Sequence, residues 1–374
     1  MPDDATKPAA KASDMYRTPT SRDWPRSVRI DIDYNKWYEK GEDLKYATNP
    51  FHAAAVYNPD GNTPLFQLEK TGKGGPSQTN YEDVDRALRI LRMIANLGSA
   101  PAVAVLKHVN PTGVSMKADP LQAFSNAWDA DARAAYGGTV AFNFPLDAEF
   151  LGKAYAHIKN RDPKTFIDVM VAPGFTDDAR EFMSKKESIR ICRYDADRIA
   201  QIDPFAKGKP EIKTLMDGRI IVYEPYVEAV RSRDDLKIMT THLPTDSQVA
   251  DMLFAWYVCA NTRSNGVVFA CDSTVQAIGT GKQERIDAIE DAIRKAETKA
   301  VYRGGSAKDC LVGAVLASDG FIPNIDNIPP LKEKGVTAII QPGGSKVADE
   351  AVIAACDKEG IAMAFTNWRC FSHH

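Results

Sequence analysis

Residues 101–111 read Pro-Ala-Val-Ala-Val-Leu-Lys-His-Val-Asn-Pro, and this stretch decides the fold. Its apolar run, Val103-Ala104-Val105-Leu106, lies between Pro101 and an expected Asn110-Pro111 turn, too short for a helix. A short apolar run bounded by turn residues reads as a buried strand. Upstream, Val84, Ala87, Leu88, Leu91 and Ala95 fall on one helical face, with Asn80 placed to cap it. Downstream, helical patterns near 121–132 and 148–158 alternate with strand-like runs at 138–142 and 166–171. After a Gly- and Pro-containing stretch the style repeats. Helical patterns fall at 247–260, 286–296, 329–334 and 349–358, and strand-like runs at 266–270, 275–278, 313–317, 336–340 and 361–365.

Strands alternating with helices imply an α/β fold of three layers, with helices on both faces of a mostly parallel sheet. At 374 residues the chain is too long for one ordinary core, and two such units fit it. The expected divisions are a flexible arm over 1–24, a first domain over 25–202, a connection over 203–235 and a second domain over 236–374. No fixed-period repeat is visible in the sequence, so any relation between the halves must be structural.

A net charge of −3, with both signs scattered, leaves no electrostatic footprint for nucleic acid. No run approaches the roughly 18 apolar residues that cross a bilayer. The first 24 residues lack the apolar core of a secretory signal, and their acidic residues argue against a transit peptide, so a cytoplasmic address is expected. The six cysteines form no CxxC pair and no Cys/His metal spacing, which reads as buried free thiols.

Four places carry candidate chemistry. Lys107 and His108 end the first strand, where a cation beside an imidazole can stabilise an oxyanion and move a proton; a surface Lys and a packed His would also end a strand. Residues 278–285 (IGTGKQER) form a glycine-containing turn opening a helix, suited to an anion or simply to a tight turn. Residues 341–345 (QPGGS) follow a strand, where glycines serve close ligand approach or turn geometry. The tail 366–374 (TNWRCFSHH) follows a buried strand with an Arg, aromatics and two His.

Taken together and in order, these segments closely resemble the transformylase half of the bifunctional AICAR transformylase/IMP cyclohydrolase family (AICAR is aminoimidazole carboxamide ribonucleotide). The matched stretches are 44–52 (LKYATNPFH), 106–113 (LKHVNPTG), 131–138 (DARAAYGG), 167–174 (IDVMVAPG) and 263–270 (RSNGVVFA). They continue as 278–285, 317–324 (ASDGFIPN), 341–345 and 369–373 (RCFSH).

The resemblance implies a duplicated cytidine-deaminase-like α/β/α unit, two in tandem. It also implies transfer of a formyl group from 10-formyltetrahydrofolate to the AICAR amine in purine biosynthesis. Lys107 and His108 match the catalytic pair. Lys45, Tyr46, Asn80, Gly137, Asp168, Asn265, Arg285, Phe321, Arg369, Phe371 and His373 match the nucleotide side, with Lys45 and Arg369 suited to the phosphate. Ile286, Asp326, Ser345 and Lys346 match the folate side. A homodimer with sites across its interface is implied.

Several positions depart from the family pattern. Lys45 stands where the family has Arg, losing a two-pronged phosphate contact. Asn324 replaces an aromatic, Thr112 a small Cys or Ala, and Tyr136 a Phe. The deaminase zinc signature is missing, so neither zinc nor deamination is expected. Only about 40 residues precede the match, so the cyclohydrolase domain is absent from this stretch and a separate IMP cyclohydrolase is expected. The competing readings are the same acceptor formylated from formate plus ATP, and a non-catalytic AICAR-binding protein.

Overall fold

The computed structural model describes residues 22–30, 36–61, 63–345 and 347–373. The bulk of the expected arm, 1–21, lies outside the described residues, as does Lys346. The described chain opens with an antiparallel three-stranded sheet, β1 (Ser27–Ile30), β2 (Lys36–Leu44) and β3 (Ala54–Pro59).

A first unit follows. It runs β4 (Phe66–Lys70), α1 (Gln78–Ile94), the hairpin β5 (Ala102–Lys107) and β6 (Asn110–Met116), then α2 (Pro120–Ala130) and the single turn α3 (Ala132–Ala135). It continues as β7 (Thr139–Phe142), α4 (Ala148–Arg161), β8 (Val169–Ala172), α5 (Asp177–Ser184), β9 (Arg190–Tyr194) and α6 (Ala196–Gln201). An exposed two-stranded ribbon, β10 (Glu211–Thr214) and β11 (Ile220–Tyr223), occupies the stretch expected as a plain connection.

The second unit runs β12 (Lys237–Ile238), α7 (Asp246–Cys259), the hairpin β13 (Val267–Cys271) and β14 (Thr274–Gly279), and α8 (Arg285–Lys299). It closes with β15 (Val315–Ser318), α9 (Ile328–Glu333), β16 (Ala338–Gln341), α10 (Asp349–Glu359) and β17 (Ala362–Phe365).

The two units share one twelve-stranded sheet, ordered β12-β17-β16-β15-β13-β14-β6-β5-β7-β8-β9-β4. Read outward from the centre, both halves have the same wiring: a hairpin, three further strands and an antiparallel edge strand that precedes them in the chain. The central junction is antiparallel, Thr274 opposite Ser115, sealed by a 2.8 Å hydrogen bond between their hydroxyls. Like units meeting antiparallel are related by a two-fold axis normal to the sheet, so their hairpin turns lie at opposite ends. The duplication is structural, as expected; the sequence shows no repeat.

The expectation of a mostly parallel sheet is corrected. Only β7-β8, β8-β9, β15-β16 and β16-β17 pair in parallel; the other seven pairings of this sheet are antiparallel. Two of the seven are the tight hairpins at the centre, because a two-residue turn can join only antiparallel strands. The expected turn at Asn110-Pro111 is also displaced: His108 and Val109 make it, and Asn110 already begins β6.

Helices cover both faces. On one, α1 and α7 lie side by side over a core that runs through both units, with Ile90, Ile94, Phe254 and Trp256 fully buried. On the other, α2, α4 and α5 cover the first half around Phe124 and Trp128, while α8, α9 and α10 cover the second around Phe269 and Leu316.

Candidate active site

The β5–β6 turn holds the Lys107-His108 pair. Its two central residues are left-handed, His108 at φ 56° and Val109 at φ 64°. Two-residue hairpins favour this geometry because it matches strand twist, but normally fill it with Asn-Gly. A non-glycine residue there is strained by about 1–2 kcal/mol, and β-branched Val109 is an unusual occupant. A buried carboxylate compensates: Asp83, on α1, accepts the Val109 N–H at 2.7 Å and the Thr139 hydroxyl at 3.3 Å. Burial lifts this carboxyl to about 7.

Lys107 Nζ donates to the Tyr136 carbonyl at 2.5 Å and lies over the Tyr136 ring. His108 is exposed at the surface of the turn. Partial burial, and then the Lys107 charge, pull its pKa below the ordinary histidine value. A neutral imidazole therefore stands beside an ammonium, the protonation pattern of a base next to an oxyanion stabiliser.

Around this turn the structure gathers the other first-half candidates. Ser77 and Asn80 form a capping box that starts α1, and the Asn80 side-chain amide also donates to Asp168 at 3.0 Å. The side-chain oxygen of Asn80 serves the helix cap while its nitrogen reaches Asp168. Asp168, just before β8, takes an ion pair from the buried Arg190 at 2.5 Å. Arg190 also donates twice to the Gly75 carbonyl. Gly137 has φ 65°, and a Cβ there would stand 3.0 Å from the Phe166 ring. Lys45 is buried, its Nζ 3.3 Å from the Lys73 carbonyl and 5.5 Å from the Tyr46 ring centroid.

A second cluster forms at the same end of the sheet, in the second unit. Arg285, the first residue of α8, donates to Asp319 at 2.6 Å, to the Ser318 hydroxyl at 2.9 Å and to the Asn265 side-chain oxygen at 2.7 Å. The Asn265 amide in turn donates to the Lys282 and Gln283 carbonyls. Arg369 lies over both Phe321 and Phe371, and His373 packs 6.1 Å from Phe371. Asp326 is exposed in a short turn of 3-10 helix, and Ile286 is half-buried on α8. Ser345 acts locally: its N–H donates to Asp349 and its hydroxyl accepts from Ala348, which organises the start of α10.

Asn110 joins the two clusters at the centre, its side-chain oxygen accepting from the Arg263 N–H and the Thr280 hydroxyl. A cavity of about 260 Å³ opens there, bordered by Lys107, His108, Thr112, Asp131, Ile278 and Lys295. A larger cavity, about 680 Å³, lies at the opposite end around the second hairpin turn. There Lys117 pairs with Asp272 and Arg161 with Asp129, whereas the smaller cavity is the one bordered by the Lys107-His108 pair. From β8 to β15 is six strand spacings, roughly 29 Å along the sheet. Asp168 and Asp319 of one chain therefore do not face a single small molecule.

The family model described as AICARFT/IMPCHase bienzyme matches residues 13–295. The chain belongs to the AICARFT/IMPCHase family. Similar family proteins include the bifunctional purine biosynthesis protein PurH of Cereibacter sphaeroides, 34% identical over 333 residues, covering 88% of this chain and 59% of that protein. Those of Oceanobacillus iheyensis and Anaeromyxobacter sp. are 33% and 35% identical, over 97% and 90% of this chain and 64% and 60% of theirs. The chain thus spans about three fifths of the length of these relatives.

Sequence reasoning missed Asp83, Arg190 and Asp319, which hold the AICARFT/IMPCHase candidates in place. Asp83 carried a readable signal: with Ala87, Ile90 and Ile94 it lies on one buried stripe of α1, where a carboxylate must find donors. Arg190 and Asp319 sit at strand ends, where charged residues look like ordinary surface.

Proposed function

We propose that this chain transfers the formyl group of 10-formyltetrahydrofolate to the AICAR amine, yielding formyl-AICAR and tetrahydrofolate in purine biosynthesis in the cytoplasm. The observation that carries this reading is the Lys107-His108 turn, a proton acceptor and a cation fixed side by side at the mouth of a cavity. The AICAR amine is conjugated with its carboxamide and is a weak nucleophile, so base assistance and oxyanion stabilisation are both required. His108 takes the amine proton as the nitrogen attacks the formyl carbon. Lys107 stabilises the tetrahedral oxyanion, and as that collapses the bond from the formyl carbon to the folate nitrogen breaks and the nitrogen leaves with the proton that His108 took up.

Lys45, Tyr46, Asn80, Gly137 and Asp168 serve the nucleotide from one side. Asn265, Arg285, Phe321, Arg369, Phe371 and His373 serve it from the other, and Ile286, Asp326, Ser345 and Lys346 attend the folate. Because the two groups stand apart within one chain, a second copy supplies the complementary group, and the working unit is a homodimer. These 374 residues carry the transfer step and not ring closure to IMP.

The test is purified protein with AICAR and 10-formyltetrahydrofolate, scoring formyl-AICAR and IMP. Formyl-AICAR without IMP is expected. Turnover only with formate and ATP would overturn the donor, and AICAR binding without turnover on either donor would overturn the enzyme. IMP formation would overturn the absence of ring closure.

A further inference from the structure

The two hairpin turns are built alike. In the first, Asp83, the sixth residue of α1, accepts the Val109 N–H. In the second, Asp251, the sixth residue of α7, accepts the Asp272 and Ser273 N–H groups at 2.8 and 2.7 Å. Both turns have two left-handed central residues, and both carboxylates are buried, 4% and 6% exposed. Only the first turn carries a Lys-His pair. The second carries Cys271 and Asp272 at the corresponding places.

The molecule therefore contains the same device twice, once beneath the candidate base and once beneath a turn without one. In the first unit the device also reaches further into the site. Asn80, one helical turn before Asp83 on α1, bonds Asp168, while Asp83 bonds Val109 and Thr139. One face of α1 thus sets both the carboxylate assigned to the nucleotide and the turn assigned to the chemistry.

We infer that Asp83 is a positioning residue: by holding the Val109 amide it fixes the His108 backbone in the left-handed conformation from which the imidazole meets its substrate. It touches no reacting atom. This inference rests on the reading of His108 as the base. Without the carboxylate, a His-Val turn has no glycine to favour its geometry, and the imidazole is released to several orientations.

The full chain is compared as wild type, Asp83→Ala, Asp83→Asn and Asp251→Ala, with kcat and KM for AICAR measured on each. Asp83→Ala is expected to lower kcat at least about 10-fold with KM changed less than about 3-fold. Asp83→Asn keeps an acceptor oxygen and restores most of the loss. Asp251→Ala destabilises its own turn yet keeps kcat within about 3-fold. Should Asp83→Ala not fold, Asp83→Ser, whose hydroxyl is too short to reach the amide, carries the same comparison.

A second readout needs no substrate: the His108 ring signal in histidine-labelled protein, assigned by its disappearance in His108→Ala. Its pH titration is expected to move in Asp83→Ala and to stay put in Asp251→Ala. Equal kcat losses in the Asp83 and Asp251 alanine variants, or an unmoved His108 titration, would overturn the positioning role. If wild type proves inactive with AICAR and formyl-folate while the His108 titration still answers only to Asp83, the functional reading fails and the positioning survives.

Discussion

In the proposed mechanism His108 and Lys107 work as a pair, and the Lys107 charge acts on the imidazole. The ammonium helps keep the imidazole neutral, so the base is available at lower pH than for a free histidine. A lowered pKa places the acid limb of kcat/KM below the ordinary value of about 6.5. In Lys107→Ala that limb moves up toward 6.5, but only partly, since burial is the larger cause and remains; a pH profile of the residual activity reads it. Each alanine variant loses at least about 100-fold in turnover, the scale of a general acid–base group, and near-normal rates in both would sink the mechanism. That the pair ends a strand was legible, because an apolar run closed by a turn is a local pattern. The supports beneath it were not. Asp83, Arg190 and Asp319 are distant in sequence from what they hold, and only tertiary packing brings them there.

Among the elements, those with continuous apolar runs were readable to within a few residues: the buried strands Ala102–Lys107, Val267–Cys271 and Ala338–Gln341, and helices such as Asp349–Glu359. The strands that escaped include Ser27–Ile30, Lys36–Leu44, Ala54–Pro59, Phe66–Lys70 and Arg190–Tyr194, along with Asn110–Met116, carrying Pro and Gly, the two-residue Lys237–Ile238 and the exposed ribbon at 211–223. Their pairing is dictated by neighbours rather than by their own pattern. Strand direction was equally hidden, since an apolar run looks the same in parallel and antiparallel company. One close approach gives a sharp test. A Cβ on Gly279 would stand 1.9 Å from the Ala288 carbonyl of the helix that begins with Arg285. Gly279→Ala must push that helix outward, so a loss of about 1–3 kcal/mol is expected, together with a raised KM for AICAR as Arg285 shifts. Chemical melts and substrate titrations measure both; an unchanged midpoint would mean the helix yields freely.

Across the whole molecule, the halves expected as separate domains share a sheet and one of the three cores. Interfaces between independent domains are usually smaller and more polar than a core. Here α1 and α7 bury Ile94, Trp256 and Tyr257 in a single apolar layer. Unfolding is therefore expected as one cooperative transition, with calorimetric and van't Hoff enthalpies in agreement. Two resolved transitions would show that the units stand alone.

The order of the strands also sets a hazard during synthesis. Asn110–Met116 occupies the middle of the finished sheet, yet its partner across the junction emerges 159 residues later. At ribosomal speeds of about 5–20 residues per second, that flank waits on the order of 10–30 s with nothing beside it. An open, flat strand edge left that long is an invitation to pair with another nascent chain. Pro111, which has no N–H to offer, and Gly113, which makes a poor strand, leave it a reluctant template until its own mate arrives.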